Sequence, residues 1–405
     1  MLGSSARSRV PNSVLPEIPH DLATHHGWVA SAYLDVSRNR GGAPHEVRLR
    51  WEALAGQLRE QGADDKTIDA AGEAAMQTHG QPGAAGRAVF AGDGQVLYEA
   101  DLPSPPRREL ARWATLPHLL PLLAQVPEYV PHIVVALGRT AATITGFDRT
   151  GQQVRWEVEE GETHPAHKAG AGGTAHYSMQ HRTEEVWARN ARSFAADVER
   201  AVTTLHAELI VLTGDVRARK LVRDALGERS RTIVEEVEGP GPDDQTTDHS
   251  VDEQVRHMAA DRAAERTGEL ITKFEQERGR GAGLAVEGLT AVILALQRNQ
   301  VSALLLRDDP SSELRLWIGP EPAQLALTED ELREIGAPVL GPDRADAALI
   351  RAIAGTGAEL VLLPHPGSST EPERAGSAAG GVSPPGEQPE LADGIAALLR
   401  FTAPS

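Results

Sequence analysis

The sequence predicts an α/β protein built from three domains, on three observations. At 405 residues the chain exceeds what one ordinary core accommodates. Strand and helix patterns alternate along its length. Two breaks, a proline-rich step at residues 102–110 and the turn-rich GPGPDDQTTD at 239–248, interrupt that alternation. The expected division is an α/β N-terminal domain (1–128), a middle domain with a mixed sheet and a long helix (129–270), and an α/β C-terminal domain (271–405).

Residues 27–36 alternate apolar and β-prone side chains and read as a strand, and RAVFAGDGQVLYEA (87–100) reads as a hairpin around Gly92-Asp93-Gly94. A charged helical segment spans about 43–77 between them. Ile133–Leu137 and Ala141–Phe147 form a second hairpin around Gly138-Arg139. Trp187, Ala191, Phe194, Val198, Val202 and Leu205 recur every three or four residues, so a helix with one buried face runs from about 178 to 206. The run Glu208–Gly214 is a buried strand. A helix (Asp215–Leu226) and a strand (Thr232–Val237) follow, an order that implies parallel pairing. A charged helix covers about 250–278 and stops at Gly279-Arg280-Gly281. The remainder repeats the pattern: LAVEGLTAVILALQRNQ is an amphipathic helix, VSALLLRDD a buried strand, and ALIRAIAGTGAELVLLP a helix, a turn and a strand. Residues 365–390 carry almost no apolar side chains and read as a disordered insertion, because ADGIAALLRF resumes the fold behind them.

The formal charge of −18 makes the molecule as a whole repel phosphate, so a nucleic-acid role requires a local cluster that outweighs the global field. With no cysteine, thiol catalysis, disulfides and Cys-ligated metals are excluded. The N-terminus lacks the apolar core of a signal peptide, and no segment approaches the roughly 18 apolar residues of a spanning helix. A cytoplasmic location without membrane contact is expected. No motif calls for a cofactor.

One stretch departs from this background. Between Thr163 and Arg182 lie His164, His167, His176, His181, Lys168 and Arg182, with no Asp or Glu. Fifteen histidines spread evenly over the chain would place fewer than one there. Gly170, Gly172 and Gly173 permit close backbone approach. Four readings compete. A metal site suffers from spacings of three and five rather than four and from the missing carboxylate. A phosphate or dinucleotide loop lacks GxxxxGK[ST] and a preceding strand. A solvated loop is the plain alternative. An RNA-facing loop would use Lys168 and Arg182 on phosphates and the histidines and Tyr177 on bases. Elsewhere, Asp35 and Asp93 suit a strand end and a turn, and Asp215 suits a helix cap.

The order KAGAGGTAHYSMQHRTEEVWARNARSFAADVERAV resembles the middle domain of the archaeo-eukaryotic release factor and Pelota group, whose termination members carry a Gly-Gly-Gln tip loop ahead of a long helix. Gly172 and Gly173 match the two glycines; Thr174 stands in place of the glutamine. ELITKFEQERGRGAGLAVEGLTAVILALQRNQVSALLLRDD is similar to the start of that group's ribosomal-protein-like α/β/α C-terminal domain, with Asn299 or Gln300 in place of a usual glycine. The resemblance covers about 130–401. The first 125 residues resemble the bacterial branch of the group, including the Balon-type ribosome hibernation factors, rather than a stop-codon-reading domain.

The resemblance implies a tRNA-like shape that enters the ribosomal A site, with the tip reaching the ribosomal RNA of the peptidyl-transferase centre through His164, His167, Lys168, Gly170, Gly172, Gly173, Thr174, His176, Tyr177, His181 and Arg182. Elongation factor Tu with GDP is an implied partner. Without the glutamine amide, Thr174 cannot place a water for hydrolysis, so the expectation is a non-enzymatic hibernation factor. The alternative is Pelota-like rescue or peptide release by hydrolysis of peptidyl-tRNA. A Thr174–His176 hydrolytic dyad, which lacks an orienting acid, and a plain adaptor acting through the C-terminal domain are further readings.

Overall fold

A computed structural model describes residues 20–37, 43–77, 84–125, 129–138, 141–148, 153–156, 173–242, 249–281, 283–309, 312–363 and 389–402. The insertion read at 365–390 lies almost wholly outside them. The fold is α/β, and two compact units divide it. One joins residues 17–126 with 267–405; the other holds residues 127–266.

In the first unit, the N-terminal lobe comprises α1 (His20–Ala23), β1 (Val29–Asp35), α2 (Ala43–Glu60), α3 (Asp65–Met76), β2 (Gly86–Gly92), β3 (Gln95–Leu102), β4 (Leu110–Ala114) and α4 (Leu120–Leu123). Its antiparallel sheet has the order β3-β2-β1-β4. Ala30, Ala32 and Leu34, two apart on β1, face a core completed by Trp51, Leu54 and Leu58 of α2 and Ile68, Ala71 and Ala75 of α3. The charged helical segment at 43–77 is made of two helices. Gly62 turns the chain at φ +94, and Asp64 restarts it by accepting from Thr67 N at 3.0 Å. Asp93 and Gly94, both at positive φ, make the β2–β3 turn. Strand β4 follows the proline-rich step at 102–110, where the sequence shows no strand pattern.

The second unit contains β5 (His132–Leu137), β6 (Ala142–Phe147), β7 (Gln153–Trp156), α5 (Gly173–Leu205), β8 (Leu209–Gly214), α6 (Val216–Ala225), α7 (Glu228–Arg231), β9 (Val234–Glu236) and the first part of α8 (His249–Arg280). Its mixed sheet runs β7-β6-β5-β8-β9, with β5, β8 and β9 parallel and β6 and β7 antiparallel. Period-two alternation sorts its two faces. Ile133, Val135 and Leu137 of β5 and Ile210 and Leu212 of β8 meet Ala191, Phe194, Ala195 and Val198 of α5 and Val222 of α6. Leu209 and Val211 point the other way, onto Val251, Val255, Ala259 and Ala263 of α8. These four residues recur every four positions, one stripe of a helix.

The C-terminal lobe, in the first unit, comprises β10 (Ala285–Glu287), α9 (Leu289–Gln297), β11 (Val301–Arg307), β12 (Arg315–Ile318), β13 (Leu325–Ala326), α10 (Glu329–Glu334), β14 (Gly341–Arg344), α11 (Ala345–Thr356), β15 (Glu359–Leu363) and β16 (Ile395–Leu399). The larger sheet has the order β10-β16-β11-β15, with β11 and β15 parallel; β12, β13 and β14 form a smaller one. Phe274, near the end of α8, is fully buried against Ala303, Leu305, Val361 and Leu398. Helix α11 ends at Gly357 in the left-handed conformation, which glycine adopts without steric cost. Thr328 and Glu331 close a reciprocal capping box on α10.

Candidate functional site at the start of the long helix

Helix α5 begins at Gly173, five residues earlier than its apolar period indicates. Gly172 immediately precedes it, and Thr174 is its second residue. His164, His167, Lys168, Gly170 and Gly172 lie outside the described residues. Gly173, Thr174, His176, Tyr177, His181 and Arg182 belong to the helical backbone of α5, and their side chains lie outside the description. The first turn contains no acidic residue. A helix start leaves its first backbone N–H groups without intrahelical acceptors and carries the positive end of the peptide dipoles, so an unacidic first turn favours an incoming electron-rich group.

The part of α5 that packs determines how this start is held. Phe194 and Val198 are 3% and 0% exposed, and burying side chains of this kind contributes about 1.5–3 kcal/mol each. Asn190 and Trp187 continue the packed face toward the carboxyl ends of β5 and β8. There Gly214 takes φ +94, and a Cβ at this position would run into the carbonyl oxygen of Leu137. The backbone therefore turns sharply, Asp215 N donates to Leu137 O at 2.8 Å, and the Asp215 carboxylate accepts from Arg217 N and Ala218 N, both at 3.0 Å. Asp215 is thus the cap of α6, as its position after a strand indicated.

Capping sets Arg217 in place, and its guanidinium lies 4.8 Å from the centre of the Trp187 ring. A cleft lined by Gly138, Trp187, Asn190, Phe194, Asp215 and Arg217 opens at this junction. Asn190 is 4% exposed, and among the described residues its Nδ2 has no hydrogen-bond partner. Arg219 is buried beside Glu236 at 3.2 Å, and Arg223 reaches the same carboxylate at 2.7 Å, which ties α6 to the edge strand β9. From Trp187 back to Gly173 is fourteen residues, about 21 Å of helix. The cleft was missed in the sequence because Trp187 and Asn190 come from one helix and Arg217 from another, and only the sheet brings them together.

At the other end of the same sheet, His132 stacks on Phe147 with ring centres 4.6 Å apart, and its Nδ1 lies 2.9 Å from Val130 O. Burial lowers its pKa below the ordinary histidine value, partly offset by that backbone hydrogen bond. Among the described residues no group of three His, Asp or Glu could hold a metal ion, and no helix is long and apolar enough to cross a membrane.

Residues 131–280 match the family model of bacterial archaeo-eukaryotic release factor family 2. An uncharacterized protein of Mycobacterium tuberculosis is 29% identical over 345 residues, covering 84% of this chain and 90% of that protein. Among solved structures, the archaeal translation termination factor aRF1 aligns over 92% of both chains at 15% identity with a TM-score of 0.25. Saccharomyces cerevisiae Dom34, a translation termination-like factor, aligns over 79% of this chain and 81% of its own at 11% identity with a TM-score of 0.37. Residues 131–280, which contain the long helix that starts at Gly173, are the segment in which this chain is similar to the bacterial archaeo-eukaryotic release factors.

Proposed function

We propose that this chain binds the ribosome, occupies the A site, and presents residues 164–182 toward the peptidyl-transferase centre without cleaving peptidyl-tRNA, acting as a hibernation factor of the Balon type. The observation that carries this reading is the Gly172-Gly173-Thr174 sequence at the start of a 33-residue helix whose surroundings, from Thr163 to Thr183, contain no carboxylate. The two glycines allow close approach to RNA, while threonine has no amide with which to position a water on the ester carbon. Occupying the site excludes tRNA by sterics alone.

Charge supports the division of labour. A net −18 slows indiscriminate association with RNA, and the carboxylate-free stretch preserves local attraction. The four histidines at 164, 167, 176 and 181 gain charge on acidification, so ribosome affinity at fixed salt strengthens from about pH 7.5 to 6. An affinity independent of pH removes their charge from the account. Elongation factor Tu in its GDP form is the proposed partner of the C-terminal lobe, and the cytoplasm the proposed location.

Sedimentation of the full chain with purified ribosomes through sucrose tests the reading. The expected result is cosedimentation that weakens when Lys168 and Arg182 are both replaced by Glu. No cosedimentation would favour an adaptor, and cosedimentation accompanied by release of nascent peptide would favour rescue by hydrolysis.

A further inference from the structure

Within the first unit, a short strip of the N-terminal lobe, residues 107–118, meets the C-terminal lobe through two arginines and a histidine on one side and three aspartates on the other. Arg107 Nη1 lies 2.9 Å from Asp308 Oδ2, Arg112 Nη2 donates to Asp343 Oδ1, and His118 Nε2 lies 3.5 Å from Asp346 Oδ2. The three aspartates are 6%, 3% and 8% exposed. Each comes from a different position of the C-terminal lobe: after β11, within β14, and in the first turn of α11.

Both sides of this seam are fixed independently of it. On the N-terminal side, His118 is held to β1 through its backbone: its N–H donates to Ser31 Oγ at 3.0 Å, and its carbonyl accepts from the buried Tyr33 hydroxyl at 2.6 Å. On the C-terminal side, Arg344 grips Asp346 through Nε and Nη2, and Asp346 also accepts from Ala347 N. Asp343 accepts from Arg344 N at 2.7 Å and, across the seam, from Leu116 N at 3.0 Å. Helices α1 and α4 add apolar contact by packing on α11. Burial alone would raise the Asp346 pKa, but hydrogen bonds and charge from His118 and Arg344 hold it far below the usual carboxylate range.

Removing a cation from a buried carboxylate costs more than breaking a surface pair, because the charge stays desolvated with fewer donors, even where Asp343 and Asp346 keep those supplied by Arg344. Three such carboxylates spread over three elements, answered by one strip, resist both sliding and hinging. We propose that the Arg107–His118 strip and Asp308, Asp343 and Asp346 form an interlobe lock that makes the N-terminal and C-terminal lobes one rigid body. A contact made on either lobe is then passed to the other as a displacement of the whole unit, and the angle between the lobes is fixed before any partner binds.

The chain contains no cysteine, so a pair introduced by Glu60→Cys and Glu334→Cys, one on each lobe, takes spin labels without competition. Double electron–electron resonance on the full chain at about 0.15 M salt should give one narrow distance distribution. Asp343→Arg should add a second, broad population, and combining it with Arg112→Asp should restore the narrow one. Should Asp343→Arg not fold, Arg112→Leu carries the same expectation of a second population. A broad distribution in the parent chain, or a narrow one that survives Asp343→Arg or Arg112→Leu unchanged, would overturn the lock. The readout requires no ribosome, so its failure leaves the proposed function standing.

Discussion

Helices α5 and α8 are nearly equal in length, 33 and 32 residues, yet their sequences divide that length differently. Helix α8 packs along both of its halves: Val251, Val255, Ala259 and Ala263 enter one core, and Phe274 enters another. Acidic and basic residues alternate over the rest of its surface. The core contacts of α5, among its described side chains, run from Ala191 to Leu205, while its start is Gly173-Thr174 behind a carboxylate-free stretch. The length of α8 is accounted for by packing. In α5 the described packing accounts for the second half, and the first half is distinguished by its sequence, which carries no acidic residue before Glu184.

The sharpest way to break this comparison is to disturb the platform on which α5 stands. Gly214→Ala forces a Cβ against the Leu137 carbonyl at a φ that L residues rarely adopt, and should cost more than about 3 kcal/mol. Urea unfolding followed by hydrogen exchange should show residues 127–266 losing protection while 267–405 retain it. Unchanged protection across β5 and β8 would mean that the strand end is not the constraint it appears from its geometry to be.

Truncating the two phenylalanines separates the helices. Phe194→Ala and Phe274→Ala should each cost about 3–5 kcal/mol, the first felt in residues 127–266 and the second in the C-terminal lobe. Since the two sites share no core, the double variant should show additive losses within about 0.5 kcal/mol. A large coupling would show that the helices are not independent. A smaller effect, about 0.5–2 kcal/mol, is expected from Asp215→Ala, which removes the cap of α6 and loosens Arg217 over Trp187; the fluorescence of Trp187 reports it.

The smallest effect comes from His132. Its pKa in the folded chain is lowered by burial, so the unfolded chain takes up a proton first as pH falls. Its contribution is therefore intact above about pH 6.5 and is lost progressively below it. His132→Gln should flatten the slope of stability against pH in that window. An unchanged slope would assign it to other groups.

Much of the fold was legible because periodicity reports burial directly. The stripe of α5, the β5–β6 hairpin and the buried runs of β8 and β11 all follow from it, while α8 is legible only as a charged helix. The early start of α5 is not legible in the sequence because Gly173 and Thr174 are poor helix formers that local propensity counts against. Strand β4 is short and carries Arg112 and Trp113, and residues 312–344 mix proline with charge, so neither announces strands. The helical segment at 43–77 divides into two helices because Gly62 and Asp64 act as a stop and a cap. The candidate stretch was visible as a local anomaly of charge. The Trp187–Arg217 cleft and the interlobe aspartates were not, since their members lie up to two hundred and more residues apart and acquire meaning only once the sheets are assembled.

The central claim is occupation without cleavage, and a peptide-release assay on ribosomes carrying labelled peptidyl-tRNA tests it most directly. At protein concentrations that saturate sedimentation with those ribosomes, release should not exceed the rate without protein. Release above that rate, abolished by Gly172→Ala or Thr174→Ala, would contradict the claim.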